Sequence, residues 1–243
     1  MSRPEYKPIS PPIKAVFLDF GDTLVETEPL YVERLRIAFE RAGVSRTFDE
    51  MEKAFVEADW RSAAALVERE PFPQDAWQGI FAAVMAEVLN IGQNIRDVMR
   101  EVTRQMTLIR PSRKLMPGSM EFLEFCRGRK IRLALLSNND GRTREKCLEV
   151  GIEGFFGEIL DSTKEGLTKP NPEFFRRALR RIELSAGEVL HVGDLLGCDV
   201  LGAQKAGLRA VWLHKRRYIA RTVIRPDFSV HEFKDLQAML GET

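Results

Sequence analysis

The stretch AVFLDFGDTLVE, residues 15–26, runs from apolar residues straight into two carboxylates placed around a glycine. Residues 15–20 are almost continuously aliphatic and aromatic, the composition of a strand buried on both faces in a parallel sheet covered by helices. Such a strand delivers Asp19 to its carboxyl end, and open α/β sheets bind ligands beyond the carboxyl ends of their strands. Three later runs repeat the plan: IRLALLS (131–137), EVLHVGD (188–194) and RAVWL (209–213). Between them lie helical segments. NPEFFRRALRRIEL puts Phe174, Phe175, Ala178, Leu179 and Ile182 on one face, and CDVLGAQKAG ends on Gly207, a good helix stop. Strand alternating with helix implies a doubly wound α/β core.

Residues 28–110 break that alternation. Tyr31, Leu35, Ala38, Phe39 and Ala42 recur at helical spacing, and TFDE (47–50) has the form of a capping box ahead of a second stripe. Stripes through Trp77, Ile80, Phe81, Val84 and Val88, and through Ile95, Val98, Met99, Val102 and Met106, complete four amphipathic helices with no strand between them. The Pro-Gly turn in MPGSM (116–120) marks the return to the α/β core.

Composition narrows the function class. The 243 residues carry 37 basic and 36 acidic side chains, a balance that offers no attraction to nucleic acid or to a membrane surface. No apolar run reaches membrane-spanning length, and MSRPEYKPISPP reads as a flexible lead-in without the apolar core of a signal peptide. Three cysteines at no metal-binding spacing suit reduced thiols in a cytoplasmic protein. Nothing in the residues decides between monomer and homodimer.

Polar groups gather at the expected strand ends. Asp19 ends the first strand, where a carboxylate can bind a divalent cation or act as a nucleophile. Gly21 and Thr23 let the backbone curl so that amides or a hydroxyl face an anion. Ser137 and Asn138 end the second strand and offer donors to phosphate oxygens. Pro170 holds Lys169 out of helical geometry, just before a helix that starts at Pro172, so its ammonium lies where an anion is favoured. Asp194 and Asp199, in GDLLGCD, add carboxylates for an oxygen-rich pocket suited to Mg²⁺. Each residue alone has an ordinary explanation as a turn, a cap or a surface charge. Their order on this alternation does not.

VFLDFGDTL, LLSNND, TKPNPEFF and HVGDLLGCDVLGAQKAGLRAVWL, in that order, resemble the motifs of the haloacid dehalogenase (HAD) superfamily, in the subgroup with a helical cap inserted after the first motif. The resemblance implies a Rossmann-like core from residues 13–26 and 115–243, a cap from 27–114 and a lead-in at 1–12. It also implies a hydrolase acting on a small phosphorylated metabolite. Asp19 would form an aspartyl-phosphate, Ser137 and Lys169 would hold phosphoryl oxygens, and Mg²⁺ would bind Asp19, the Gly21 carbonyl and Asp194, with Asp199 in or behind the ligand set.

Phosphatases of the family usually carry a second aspartate two residues after the nucleophile, and here that residue is Gly21. Asp22 could take over the proton transfer, since Gly21 is flexible enough to redirect the next side chain. Otherwise the substrate has a good leaving group, or turnover is lost and the scaffold binds ligands or partners. A phosphonoacetaldehyde hydrolase-like reading would use Lys53, the only lysine of the insertion before Lys114, as a Schiff base. The basic run HKRRYIAR (214–221) reads as a solvated loop, and His191, inside a buried strand, as a packing residue.

Overall fold

The computed structural model describes residues 9, 10, 12–92 and 94–241. The chain forms β1 (Ala15–Leu18) and β2 (Val25–Glu28), then four helices: α1 (Tyr31–Arg41), α2 (Phe48–Leu66), α3 (Gln74–Val88) and α4 (Ile95–Leu108). It returns through β3 (Ser112–Leu115), α5 (Ser119–Gly128), β4 (Arg132–Ser137), α6 (Thr143–Glu149), β5 (Glu158–Asp161), α7 (Ser162–Glu165) and α8 (Pro172–Ile182). Last come β6 (Val189–Gly193), a widened helical segment (Leu196–Leu201) running into α9 (Gly202–Lys205), β7 (Arg209–Leu213), β8 (Phe228–Val230) and α10 (Phe233–Gly241).

Six of these strands form one parallel sheet in the order β5-β4-β1-β6-β7-β8. The apolar run of β1 explains its central place. Val16 and Leu18 enter one core with Leu133, Leu135, Leu190 and Val192, while Ala15 and Phe17 face a second core with Ala134, Leu136 and the α8 residues Phe174 and Phe175. Alternate residues thus bury opposite faces, as the period of two requires. The chain leaves β1 for β4 on one side and reaches β6 on the other, so the strand order reverses at β1. The doubly wound layout puts the crevice of that switch point beyond Leu18, Ser137 and Gly193.

The stripes of α1–α4 meet in a separate core containing Val32, Phe39, Met51, Ala58, Met85 and Val102. Thr47 and Glu50 form the expected capping box, with Glu50 N–H donating to Thr47 Oγ1 at 3.2 Å and Thr47 N–H to Glu50 Oε2 at 2.8 Å. A two-stranded antiparallel ribbon of β2 and β3, absent from the sequence reading, ties the ends of the helical unit together. β5 and β8 were also missed. Segments of four and three residues are too short to display a strand period. The lead-in lies mostly outside the described residues, but Ile9 is buried in the core and its N–H donates to Met239 O at 3.1 Å, so it is anchored there rather than flexible.

Candidate active site

Three strand ends bring the expected groups together. Asp19 leaves β1 with its N–H donating to Val192 O at 2.9 Å, which holds it beside the end of β6. Asp194 follows β6 directly, and Asp199 folds back beneath it from the widened helical segment. There the Val200 N–H reaches Leu195 O at 3.1 Å, one residue further than in an α-helix. The fold-back requires glycine at 193, because a Cβ there would lie 2.2 Å from Asp199 Cγ. One carboxylate oxygen each from Asp19, Asp194 and Asp199 falls within 4.8 Å of the others, and all three residues are buried.

Lys169 completes the group. Its ammonium is 2.6 Å from Asp19 Oδ1 and 2.7 Å from Asp199 Oδ1, and the residue is only 2% exposed. Asn138 fixes the backbone there: its Oδ1 accepts from Lys169 N–H at 2.8 Å and its Nδ2 donates to Lys169 O at 2.9 Å. Asn171 then caps α8 by accepting from Glu173 N–H at 3.0 Å. The carboxamide that the sequence offered to a phosphate therefore anchors the loop that carries the ammonium. Ser137, 3% exposed, accepts from Asn139 Nδ2 at 3.3 Å. Thr23 does not present its hydroxyl to solvent; it is fully buried, and Oγ1 has no hydrogen-bond partner among the described residues.

The basic run after β7 corrects the sequence reading. Arg216 is not solvated. Its Nη2 lies 2.6 Å from Asp194 Oδ2 and 2.8 Å from Asp22 Oδ2, and its guanidinium sits 5.0 Å from the Phe55 ring of α2. Asp22, at φ 56°, thus reaches the edge of the site, but with one oxygen engaged by Arg216. No pattern in HKRRYIAR distinguishes Arg216 from its neighbours, because its burial depends on where the helical unit docks. Lys53 is exposed and lines a surface groove of about 330 Å³ with Arg46, Glu50 and Val88–Asn90. The α2 residues that meet the α/β core include Glu52, Phe55, Asp59 and Ala63, whereas Lys53 is exposed, so a Schiff base at Lys53 would form away from that contact.

Asp59 was overlooked, although a lone acid on an apolar helical stripe was the available signal. Its Oδ2 accepts from Gly197 N–H at 2.6 Å and its Oδ1 from Cys198 N–H at 2.9 Å, between the two aspartates of the last motif. A Cβ on residue 197 would lie 2.4 Å from Asp59 O, so the close approach needs glycine. From α3, Gln74 Oε1 accepts from Thr168 N–H at 3.3 Å and Asn171 Nδ2 at 3.2 Å. The helical unit therefore grips the loops on either side of the site.

Charge in this pocket is unbalanced. Among the described residues, Asp19, Asp22, Asp194 and Asp199 ion-pair with Lys169 and Arg216 alone, apart from His191 at Asp199, leaving two negative charges when all four acids are ionised and His191 is neutral. Burial pushes Asp19 up to about 6 despite Lys169, and burial lifts Asp194 well above the usual carboxylate range despite Arg216. Asp199 is held well below it: burial opposes ionisation, but Lys169 and a 3.1 Å contact with His191 Nε2 prevail. His191 is more than packing, although its ring also meets the Phe175 edge at 5.0 Å. An all-oxygen, net-negative cluster of this spacing fits one small divalent cation such as Mg²⁺, with Asp19 and Asp194 as its carboxylates. Asp199 already receives Lys169 and His191 on Oδ1 and Leu195 N–H on Oδ2 at 3.0 Å, which suits a place behind the ligands.

A family model for haloacid dehalogenase-like hydrolases matches residues 13–207. A phosphoserine phosphatase of Thermus thermophilus is 31% identical over 92% of this chain and 98% of its own. A glyceraldehyde 3-phosphate phosphatase of Pyrococcus abyssi is 28% identical over 94% of this chain and 92% of its own. Among solved structures, the putative HAD-hydrolase YfnB of Bacillus subtilis, described as bound to magnesium, superposes with a TM-score of 0.65 at 22% identity, covering 95% of this chain and all of that one. The family model spans most of the chain, and the protein belongs to the haloacid dehalogenase-like hydrolases.

Proposed function

We propose that the protein is a Mg²⁺-dependent phosphatase of small phosphorylated metabolites, with Asp19 as nucleophile. The observation that carries this reading is the buried Asp19–Lys169–Asp199 chain, with Asp194 close enough to share a cation with Asp19. Asp19 would attack phosphorus and expel the alcohol, and water would then hydrolyse the aspartyl-phosphate. Lys169, protonated and aimed by Asn138, would neutralise phosphoryl oxygens as charge moves onto them, with Ser137 as a further donor. Asp19, Asp194 and the Gly21 carbonyl would hold Mg²⁺, which would supply electrostatic stabilisation of the transferring group. The helical unit 27–114 serves as the cap that excludes water. The relatives from T. thermophilus and P. abyssi are both named as phosphatases. Three free, buried cysteines fit a cytoplasmic setting, and among the described residues no helix is long and apolar enough to cross a membrane.

The test is phosphate release from p-nitrophenyl phosphate, whose phenolic leaving group needs little acid assistance. Release should require Mg²⁺ and vanish in Asp19→Asn; equal release by that variant would contradict the reading. A second reading, a weakly active binding protein on the same scaffold, is favoured by Gly21 and by the engagement of Asp22 with Arg216. A Cβ on residue 21 meets nothing within 4 Å, so Gly21→Asp can be accommodated. On the second reading this variant gains ~10²–10⁴-fold on alkyl phosphates. A parent already as fast as the variant excludes it.

A further inference from the structure

Arg34, on α1, is a cation without a counterion in a place where one is needed. Its Nε is buried and has no hydrogen-bond partner, and Nη2 reaches only Thr27 Oγ1 at 3.4 Å. No carboxylate lies within ion-pairing distance of it among the described residues, whereas Arg36 on the same helix pairs with Glu33 and Glu40. Burial disfavours its charge; Tyr31 and Asp22 compensate in part, and Arg113 opposes. Half-buried guanidinium groups with unsatisfied nitrogens are costly and call for an explanation.

Its position supplies one. The guanidinium lies 5.2 Å from the Tyr31 ring, that ring is 5.4 Å from Phe55, and Phe55 is 5.0 Å from the guanidinium of Arg216. Arg216 in turn holds Asp22 and Asp194. A row of two guanidinium groups with two aromatic rings between them therefore leads from the carboxylate cluster, along the junction of helical unit and core, to Arg34 beside the β2–β3 ribbon. Asp22, the acid whose field reaches Arg34, is already taken by Arg216. An arginine presents a planar set of donors matched to carboxylate or phosphate.

We propose that Arg34 is a specificity residue that binds a second anionic group, carboxylate or phosphate, on the substrate's leaving alcohol. This inference rests on the phosphatase reading, and the experiment separates the two. Values of kcat/KM are measured with Mg²⁺ for wild type, Arg34→Met and Arg34→Lys. The substrates are p-nitrophenyl phosphate, ethyl phosphate, glycerol phosphate, 2-phosphoglycolate, 3-phosphoglycerate and ethylene glycol bisphosphate. Wild type should prefer an anionic ester over its uncharged counterpart by roughly tenfold or more, as expected for one hydrogen bond to a charged group. Preference for a carboxylate ester or for the bisphosphate assigns the group. Arg34→Met should lose that preference while keeping its turnover of p-nitrophenyl phosphate, which also reports that the variant is folded, and Arg34→Lys should keep part of the preference. Equal rates on charged and uncharged esters in wild type, a preference that survives Arg34→Met, or a lysine variant indistinguishable from methionine would overturn the inference. Failure of wild type to hydrolyse p-nitrophenyl phosphate would instead overturn the phosphatase reading and this inference with it.

Discussion

Two cations flank the carboxylate cluster, and they are built differently. The direct partners of Lys169 all lie in the α/β core: Asn138 from the end of β4 holds its backbone, α8 starts just beyond it, and both of its acids come from segments that follow strands. Gln74 of α3 bonds instead to its neighbours Thr168 and Asn171. Arg216 is assembled across the junction. Its acids are in the core, but Phe55 of α2 covers its guanidinium, and Glu52 Oε2 of the same helix accepts the nearby Tyr218 N–H at 2.9 Å. The lysine therefore finds both of its acids and its backbone anchor within the core, whereas the guanidinium of Arg216 is covered from the helical unit.

Removing each cation should separate the two sides. Lys169→Met should lower kcat/KM for p-nitrophenyl phosphate by on the order of 10²–10³-fold, the cost of losing one preorganised charge at the transition state. A loss below tenfold would move Lys169 out of the reaction. Arg216→Met leaves Asp22 and Asp194 facing each other without their shared cation, and breaking such buried pairs costs about 3–5 kcal/mol. Urea unfolding in EDTA should show that loss, and saturating Mg²⁺ should restore part of it by compensating Asp194. Equal losses with and without Mg²⁺ would mean that Arg216 does not share Asp194 with the ion.

A smaller effect probes the junction itself. Burial raises Asp59 to about 6, although Gly197 and Cys198 donate to its carboxylate. The folded protein therefore holds the Asp59 proton more tightly than the unfolded chain, whose aspartates titrate near 3.8. This contribution to stability is full below pH ~4 and is lost as pH rises through about 6. Unfolding free energies of wild type relative to Asp59→Asn should fall by up to about 2 kcal/mol between pH 4 and pH 7, somewhat less than the ~1.4 kcal/mol per pKa unit ideally implies. A difference that is flat with pH would mean that Asp59 stays ionised, held by its two N–H donors alone.

The same contrast explains what could be read from the residues. The alternation of apolar strands and amphipathic helices located the sheet, and the rule for strand ends then located Asp19, Ser137 and Asp194, because topology alone carries them to one edge. The prolines at 170 and 172 pointed to Lys169 in the loop before α8. Asn138 sat where expected but faces the Lys169 backbone, a matter of loop geometry that spacing does not encode. Arg216, Asp59 and Arg34 were missed for a common reason. Each lies where α1 or α2 meets a core loop or the β2–β3 ribbon, and a one-dimensional pattern reports the face a helix buries but not the loop that arrives opposite it. Asp59 alone left a trace, as an acid in the apolar stripe between Ala58 and Ala63.

Covalent capture at Asp19 tests the central claim most directly. Wild-type protein is mixed with p-nitrophenyl phosphate and Mg²⁺, quenched in acid within the first turnover, digested and analysed by mass spectrometry. The account predicts a phosphoryl group on the peptide carrying Asp19, absent without Mg²⁺ and absent in Asp19→Asn. Phosphate release by wild type with no label at any quench time, or undiminished release by Asp19→Asn, would contradict it.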